Sequence, residues 1–432
     1  MSESLRSRIE SRDARVCVFG QGYVGLVVSM RASEAGFDVV GFEPNPSRAA
    51  SLQAGRSYVE DVPDDVLQAA IDRGYLPTSD PADLAGYDVA VLSVPTPLQD
   101  GAPDLSFIEA AGRTAAEHLT PGALVILEST TYPGTTEELL GPILEELSGL
   151  TRGRDFLLGY SPERIDPGNK AYGLHNTPKV VAGTDDASTE AVATFFGTFV
   201  EEVVRAPGCG EAELTKIIEN TYRHVNIALI NEVAMFAHSL NIDVNAAIDA
   251  AASKPFGYSP FRPGPGVGGH CLPVDPSYLS WRVKTSLGEN FRFIELANDI
   301  NEHMPHYIVR RVTMSLNRDR KAVNGSRILV YGVSYKPNVA DTRETPASDL
   351  IRQLLNLGAE VTAVDSHVAD AKEFGGVPVV DHADDDLLSS CDLALIVTGH
   401  DDVDYHRVAE LAPRVLDTPN RTPREVTSVE RL

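Results

Sequence analysis

Short apolar runs alternate with amphipathic stretches from the start of the chain. Arg15–Gly20 (RVCVFG) reads as a strand, Gly22–Gly36 as a helix and Asp38–Glu43 as a second strand. Further strands fit Asp88–Val94, Ala123–Glu128, Asp155–Tyr160 and Lys179–Gly183. Such alternation predicts a parallel sheet with helices on both faces. From Glu211 the pattern changes, and Glu211–Leu240 has helical apolar spacing throughout. A Gly/Pro-rich stretch follows from Lys254 to Pro276, too irregular for a helix or a central strand. Asn290–Asn317 is helical again, with a kink expected at Pro305. Alternation then resumes with a strand at Arg327–Val333, a helix at Pro346–Leu357 and a strand at Glu360–Asp365, in the order seen at Arg15–Glu43.

The fold class expected is therefore α/β, with two Rossmann-like, doubly wound parallel-sheet domains joined by a helical central domain. A chain of 432 residues exceeds one ordinary core. The divisions fall at 1–208, 209–318 and 319–432, and the long central helices carry more apolar surface than one protomer covers.

Charge narrows the partners. The formal net charge is -25 with no Lys/Arg run, which disfavours nucleic acid and anionic membranes. No apolar run is long enough to span a bilayer, and the polar N-terminus lacks the apolar core of a leader, so a cytoplasmic location is expected. The four cysteines, Cys17, Cys209, Cys271 and Cys391, form no CxxC pair, so neither a disulfide framework nor a metal site is indicated.

Gly20-Gln21-Gly22-Tyr23-Val24-Gly25 follows an apolar strand and opens a helix. The first glycine permits a tight turn, the second lets a pyrophosphate approach, and the third allows close helix–strand packing. Glu43 ends the next strand, where an acid bonds ribose hydroxyls and repels a 2'-phosphate, so NAD is favoured over NADP. Arg48 lies close by and suits the pyrophosphate or ribose.

Cys271 lies in Gly268-Gly269-His270-Cys271-Leu272-Pro273-Val274-Asp275. Flexible glycines before a cysteine let a substrate reach the thiol, although most free cysteines only fill apolar space. Cys17 and Cys391 read as packing residues, and Cys209 lies in a Pro/Gly loop. Lys216 and Asn220 are four apart on a predicted helix and share a face, where a cation and an amide donor suit an oxyanion.

The chain resembles the UDP-glucose/GDP-mannose dehydrogenase family over nearly its whole length. The pieces that carry the resemblance occur in the family's order: GQGYVG, SVPTP, ESTTYPGTT, SPERIDPGN, ELTKIIENTYRHVNIALINE, GPGVGGHCLPVDP and GVSYKPNVADTRETPA. Their wording is most similar to the UDP-N-acetylglucosamine 6-dehydrogenase branch. The resemblance implies roles at matching positions. Cys271 matches the nucleophile, Lys216 and Asn220 the oxyanion-stabilising pair, and Asp275 the acid that orders water and Lys216. Thr130 and Glu163 match residues of the water and acid–base steps. Pro95, Thr96, Thr130 and Arg343 join the glycine turn, Glu43 and Arg48 as cofactor contacts. Glu163, Arg164, Lys216, Asn220, Phe261, Arg262, Gly268 and Lys336 match the nucleotide-sugar contacts. Many members place an arginine upstream of the cysteine that reaches a neighbouring subunit's substrate; here Lys254 or Arg262 stands nearby.

The implied reaction is a four-electron oxidation of the C6 alcohol of a UDP-sugar to the uronate. A hydride leaves to NAD, the Cys271 thiolate traps the aldehyde, a second hydride leaves to a second NAD, and water cleaves the thioester. The substrate expected first is UDP-GlcNAc, then UDP-glucose, with UDP-ManNAc or a dTDP-sugar as alternatives, and the assembly expected is a homodimer or higher homo-oligomer. A two-electron dehydrogenase of similar fold needs no Cys271, and a non-catalytic nucleotide-sugar binder needs none of the set.

Overall fold

The first strand fixes the architecture, because its residues feed two cores at once. In β1 (Arg15–Phe19), Val16 and Val18 point into one apolar cluster, and Cys17 and Phe19 into another on the opposite face. The computed structural model describes residues 3–99, 101–166, 169, 171–269, 271–369, 374–426 and 428–432, without the side chains of residues 3, 4 and 271. It divides into two compact units, Met1–Glu219 and Asn220–Leu432.

In the first unit, α1 (Glu3–Ser11) precedes β1, and α2 (Gly25–Glu34) leads to β2 (Asp38–Phe42). Helices α3 (Pro46–Gln53) and α4 (Asp64–Asp72) precede β3 (Leu76–Thr78) and β4 (Val89–Leu92). A hairpin of β5 (Leu98–Gln99) and β6 (Ala102–Pro103) leads to α5 (Ser106–Glu117) and β7 (Leu124–Leu127). Then come α6 (Gly141–Ser148), β8 (Leu157–Tyr160), β9 (Lys179–Gly183), α7 (Asp186–Phe196) and β10 (Val203–Arg205). Eight strands form one sheet in the order β10-β9-β8-β7-β4-β1-β2-β3. β1 lies parallel to β2, with Arg15 opposite Asp38, and parallel to β4, with Val16 opposite Val89.

The sheet departs from the wholly parallel expectation at one pair. β8 and β9 run antiparallel, with Gly159 opposite Gly183. No helix lies among the described residues of 161–178, so nothing carries the chain back across the sheet before β9, and a strand without a crossover returns antiparallel.

Helix α8 (Cys209–Ser239) crosses the boundary between the units. The second unit continues with α9 (Val244–Ala252), α10 (Cys271–Leu287) and α11 (Arg292–Arg318). It then contains β11 (Arg327–Tyr331), α12 (Pro346–Asn356), β12 (Glu360–Val364), β13 (Val379–Val380) and α13 (Asp385–Ser390). β14 (Leu393–Ile396), α14 (Tyr405–Leu411), β15 (Val415–Asp417) and β16 (Glu430–Arg431) complete it. Its six strands are all parallel, in the order β13-β12-β11-β14-β15-β16.

Three local expectations are corrected. Helix α2 begins at Gly25 rather than Gly22, because the glycine turn occupies the residues between. The irregular stretch ends at Gly269, and Cys271–Pro276 belong to α10, with Pro273 near its start where a missing N–H costs little. Cys209 starts α8 and is buried, not held in a loop.

Candidate active site

Glycine is obligatory at two positions of the GQGYVG turn and free at the third. Gly20 has φ +85°, and a Cβ there would meet the Ser93 carbonyl oxygen at 2.3 Å. A Cβ on Gly25 would lie 1.9 Å from the Gly20 carbonyl oxygen. A Cβ on Gly22 would meet nothing within 4 Å, so this glycine keeps clear the space ahead of α2. No side chain caps the α2 N-terminus at Val24, and Tyr23 is 38% exposed beside it.

Glu43 follows β2 and is buried. It accepts from the Gln21 N–H at 3.3 Å and the Asn45 N–H at 3.1 Å. The Tyr58 hydroxyl donates to the Gln21 carbonyl at 2.8 Å, and the Arg48 guanidinium lies over the Tyr58 ring at 5.4 Å. The turn, the acid and Arg48 are thus gathered at one place. On the other side of β1, Ser129 Oγ accepts from the Val94 N–H at 2.8 Å and donates to the Val94 carbonyl at 2.7 Å. That pair ties the segment of Pro95 and buried Thr96 to the residue before Thr130. An open glycine, an uncapped helix N-terminus and an oriented carboxylate fit a dinucleotide carrying a 2'-hydroxyl.

Glu163 belongs to a buried cluster that the sequence did not reveal. Lys179 Nζ reaches Glu163 Oε2 and Glu128 Oε1, both at 2.6 Å, and its side chain is 2% exposed. Glu163 Oε1 also accepts from the N–H groups of Arg164 and Ile165, each at 2.6 Å. Burial pushes the Glu163 carboxyl up, but the charge of Lys179 and these hydrogen bonds outweigh it, with help from Lys216, and hold it below its ordinary value. Burial dominates at Glu128 and raises it to about 7. The available signal was a lysine opening an otherwise apolar strand, KVVAG.

Arg164 is committed within the first unit. Its guanidinium bonds the Pro178 carbonyl at 2.7 Å and pairs with Glu219 at 2.6 Å. Glu213, which like Lys179 and Glu128 the sequence reading did not single out, accepts from Gly134 N–H (2.6 Å), Thr136 N–H (2.9 Å) and Thr136 Oγ1 (2.7 Å). It fastens the ESTTYPGTT loop, which carries Thr130, to the helix that carries Lys216.

Lys216 is buried on α8, and Asn220 stands one turn further along. Asn220 Nδ2 donates to Asp275 Oδ2 at 2.6 Å, and both residues are buried. Asp275 lies one turn along α10 from Cys271, whose backbone opens that helix. The Cys271 side chain and His270 lie outside the described residues, as do Pro167 and Gly168 of SPERIDPGN.

The loop before Cys271 is anchored inside the second unit. Asn231 Oδ1 accepts from Gly264 N–H at 2.9 Å, and Gly269 N–H donates to the Arg343 carbonyl at 3.1 Å. A Cβ on Gly268 would lie 2.8 Å from the Glu344 carbonyl oxygen, and one on Gly269 2.7 Å from the Tyr335 ring. These glycines therefore admit the GVSYKPNVADTRETPA segment, which gives them a reason besides substrate approach. Phe261 packs edge-on to Tyr222 at 5.8 Å, and Arg262 is bound to Asp249 on α9. Arg343 pairs with Asp341 at 2.6 Å, and Lys336 is half-buried in the loop that follows β11.

The remaining cysteines are poor nucleophiles. Burial raises the Cys17 thiol to about 12 and Cys391 to about 11, and also pushes Cys209 up.

A glycine turn, a buried acid and a nucleotide-type second sheet define an NAD-dependent dehydrogenase. Three models of one family match in succession: the NAD binding domain of the UDP-glucose/GDP-mannose dehydrogenase family at residues 14–200, its central domain at 210–303 and its UDP binding domain at 329–424. The chain belongs to that family and is a nucleotide-sugar dehydrogenase. It is 37% identical over 377 residues to the UDP-N-acetyl-D-glucosamine 6-dehydrogenase of Pseudomonas aeruginosa, covering 85% of this chain and 87% of that one. It is 36% identical over 356 residues to the UDP-N-acetyl-D-mannosamine dehydrogenase of Pyrococcus horikoshii, covering 82% and 84%. A solved structure of the Pyrococcus horikoshii UDP-D-ManNAc dehydrogenase superposes with a TM-score of 0.87 at 31% identity, covering 96% of this chain and 98% of that one. Among the described residues, no helix is long and apolar enough to cross a membrane.

Proposed function

We propose that the protein oxidises the C6 alcohol of a UDP-sugar to the carboxylate through a thioester on Cys271. The observation that carries this reading is the buried Asn220–Asp275 hydrogen bond at 2.6 Å, which joins the helix bearing Lys216 to the helix that Cys271 opens. NAD supplies the hydride acceptor for both oxidations. The chain does the rest. Asp275 fixes the Asn220 amide, Asn220 and Lys216 hold the oxyanion at C6, and Glu163 moves protons on and off the reacting oxygen and water with Thr130. Arg48, Arg343 and the segment at Pro95–Thr96 complete the cofactor contacts; Arg164, Phe261, Arg262, Gly268 and Lys336 complete those to the nucleotide sugar. The domains in this reading are 1–208, 209–318 and 319–432.

UDP-GlcNAc is the substrate proposed, supported by the motif wording and by the Pseudomonas aeruginosa relative. UDP-ManNAc is the second reading, supported by the Pyrococcus horikoshii relative. The test counts NADH per sugar consumed and compares kcat/KM for UDP-GlcNAc, UDP-ManNAc, UDP-glucose and dTDP-glucose. Two NADH per sugar supports the thioester route, and one NADH per sugar refutes it. A higher kcat/KM for another sugar overturns the substrate ranking alone.

The assembly proposed is a cytoplasmic homodimer. Exposed Ile218, Tyr222, Leu229, Val233 and Phe236 recur along α8 at helical spacing, which makes one apolar stripe. A second copy of the same stripe is the occupant that suits it.

A further inference from the structure

The Glu128–Lys179–Glu163 cluster has two carboxylates on one ammonium, and the two are held unequally. Glu163 accepts from three donors: Lys179 Nζ, Arg164 N–H and Ile165 N–H, each at 2.6 Å. For Glu128, Oε1 accepts from Lys179 Nζ at 2.6 Å, while Oε2 is buried with no hydrogen-bond partner among the described residues. The Phe196 ring closes another side of the ammonium at 4.9 Å. All three polar side chains are at most 8% exposed. With both carboxyls ionised, the cluster is a buried net negative charge, which is costly. A proton entering it settles on the carboxyl that loses least, and Glu128 has one donor to lose where Glu163 has three.

We propose that Lys179 and Glu128 are positioning residues, with Glu128 taking the cluster's proton so that Lys179 keeps Glu163 an oriented carboxylate. This rests on the reading of Glu163 as the acid–base group. The geometry supports the assignment because Glu163 accepts from three donors and Glu128 from one. On α8, Glu219 is paired with Arg164, and Lys216 favours the same anionic form of Glu163. The directions agree: burial pushes the Glu128 carboxyl up, while at Glu163 burial is outweighed by Lys179 and the backbone N–H groups, which hold it low.

The test is the pH profile of kcat. Lys179→Met alone strands two buried carboxylates and endangers folding, so the diagnostic variant is Lys179→Met with Glu128→Gln, which removes one positive and one negative charge together. Fold is checked by the melting temperature and by NADH binding. Without Lys179 the Glu163 carboxyl titrates higher, so the acidic limb of kcat moves up by about one pH unit or more. Loss of the Lys179 hydrogen bond also leaves the Glu163 carboxylate unoriented, so kcat on the plateau above that limb is expected to fall by about tenfold, with KM for the nucleotide sugar changed less than kcat. A folded double variant with the wild-type kcat profile would overturn the proposal and leave a structural ion cluster. Glu163→Gln with wild-type kcat would instead overturn the acid–base reading beneath it, so the two failures are distinguishable.

Discussion

Asn220 Nδ2 donates to Asp275 Oδ2 at 2.6 Å with both side chains buried, so the amide is oriented before any substrate arrives. An amide whose carbonyl and N–H ends are assigned by a fixed carboxylate need not reorganise as charge develops at C6. Asn220→Ala is therefore expected to lower kcat by about 10²-fold, the usual cost of one oxyanion donor, with NADH affinity intact. Stopped-flow rates with bound NADH measured separately check it; an equal loss in NADH binding would place Asn220 elsewhere.

The glycines of the dinucleotide turn separate stability from cofactor binding. Gly25→Ala drives a methyl onto the Gly20 carbonyl and is expected to lower Tm by about 5 °C or more. Gly22→Ala meets no protein atom within 4 Å. It should leave Tm unchanged while weakening NADH binding, read by calorimetry and fluorescence titration side by side. The reverse pattern would mean that the turn holds no pyrophosphate.

Thiol reactivity tests the nucleophile. Cys17, Cys209 and Cys391 are buried and raised, so one fast-reacting thiol per chain is expected with a small alkylating reagent near pH 8. Cys271→Ala should remove that reaction and abolish carboxylate formation while NAD binding persists. Full turnover by this variant would exclude the covalent route.

The apolar stripe of α8 tests the assembly. Phe236 is 61% exposed and Leu229 54%. Leu229→Glu with Phe236→Asp is expected to convert a dimer to a monomer in sedimentation at micromolar concentration. A wild-type monomer under the same conditions would remove the proposal.

Asp365 supplies the pH prediction. Burial pushes its carboxyl up, but hydrogen bonds from His400 and the Val333 N–H prevail and bring it to about 2. Its folded value lies below the unfolded one, so its contribution is present above about pH 4 and is lost as pH falls towards 2. Asp365→Asn should lower Tm at pH 7, and the gap to wild type should close by pH 2. A gap that is constant with pH would show that charge at Asp365 does not stabilise the fold.

Periodicity in the sequence determined the two α/β sheets, the long helices and the glycine turn, because strand and helix patterns and φ > 0 requirements are local. The glycine-flanked segment marked Cys271, helical spacing marked Lys216 and Asn220, and the family resemblance alone added Asp275. Only the tertiary structure decided which groups meet. Lys179 lies 51 residues from Glu128 and 16 from Glu163, and their cluster exists because β7, the loop after β8, and β9 converge. The antiparallel β8–β9 pair, which sets where Lys179 points, depends on a connection without a crossover helix, and the sequence pattern of β9 is the same for either direction. Gly268 and Gly269 likewise read as room for a substrate, and only the fold adds that Tyr335 and Glu344 pack against them. Such partners are distant in sequence, and burial, charge pairing and close approach depend on space rather than order along the chain.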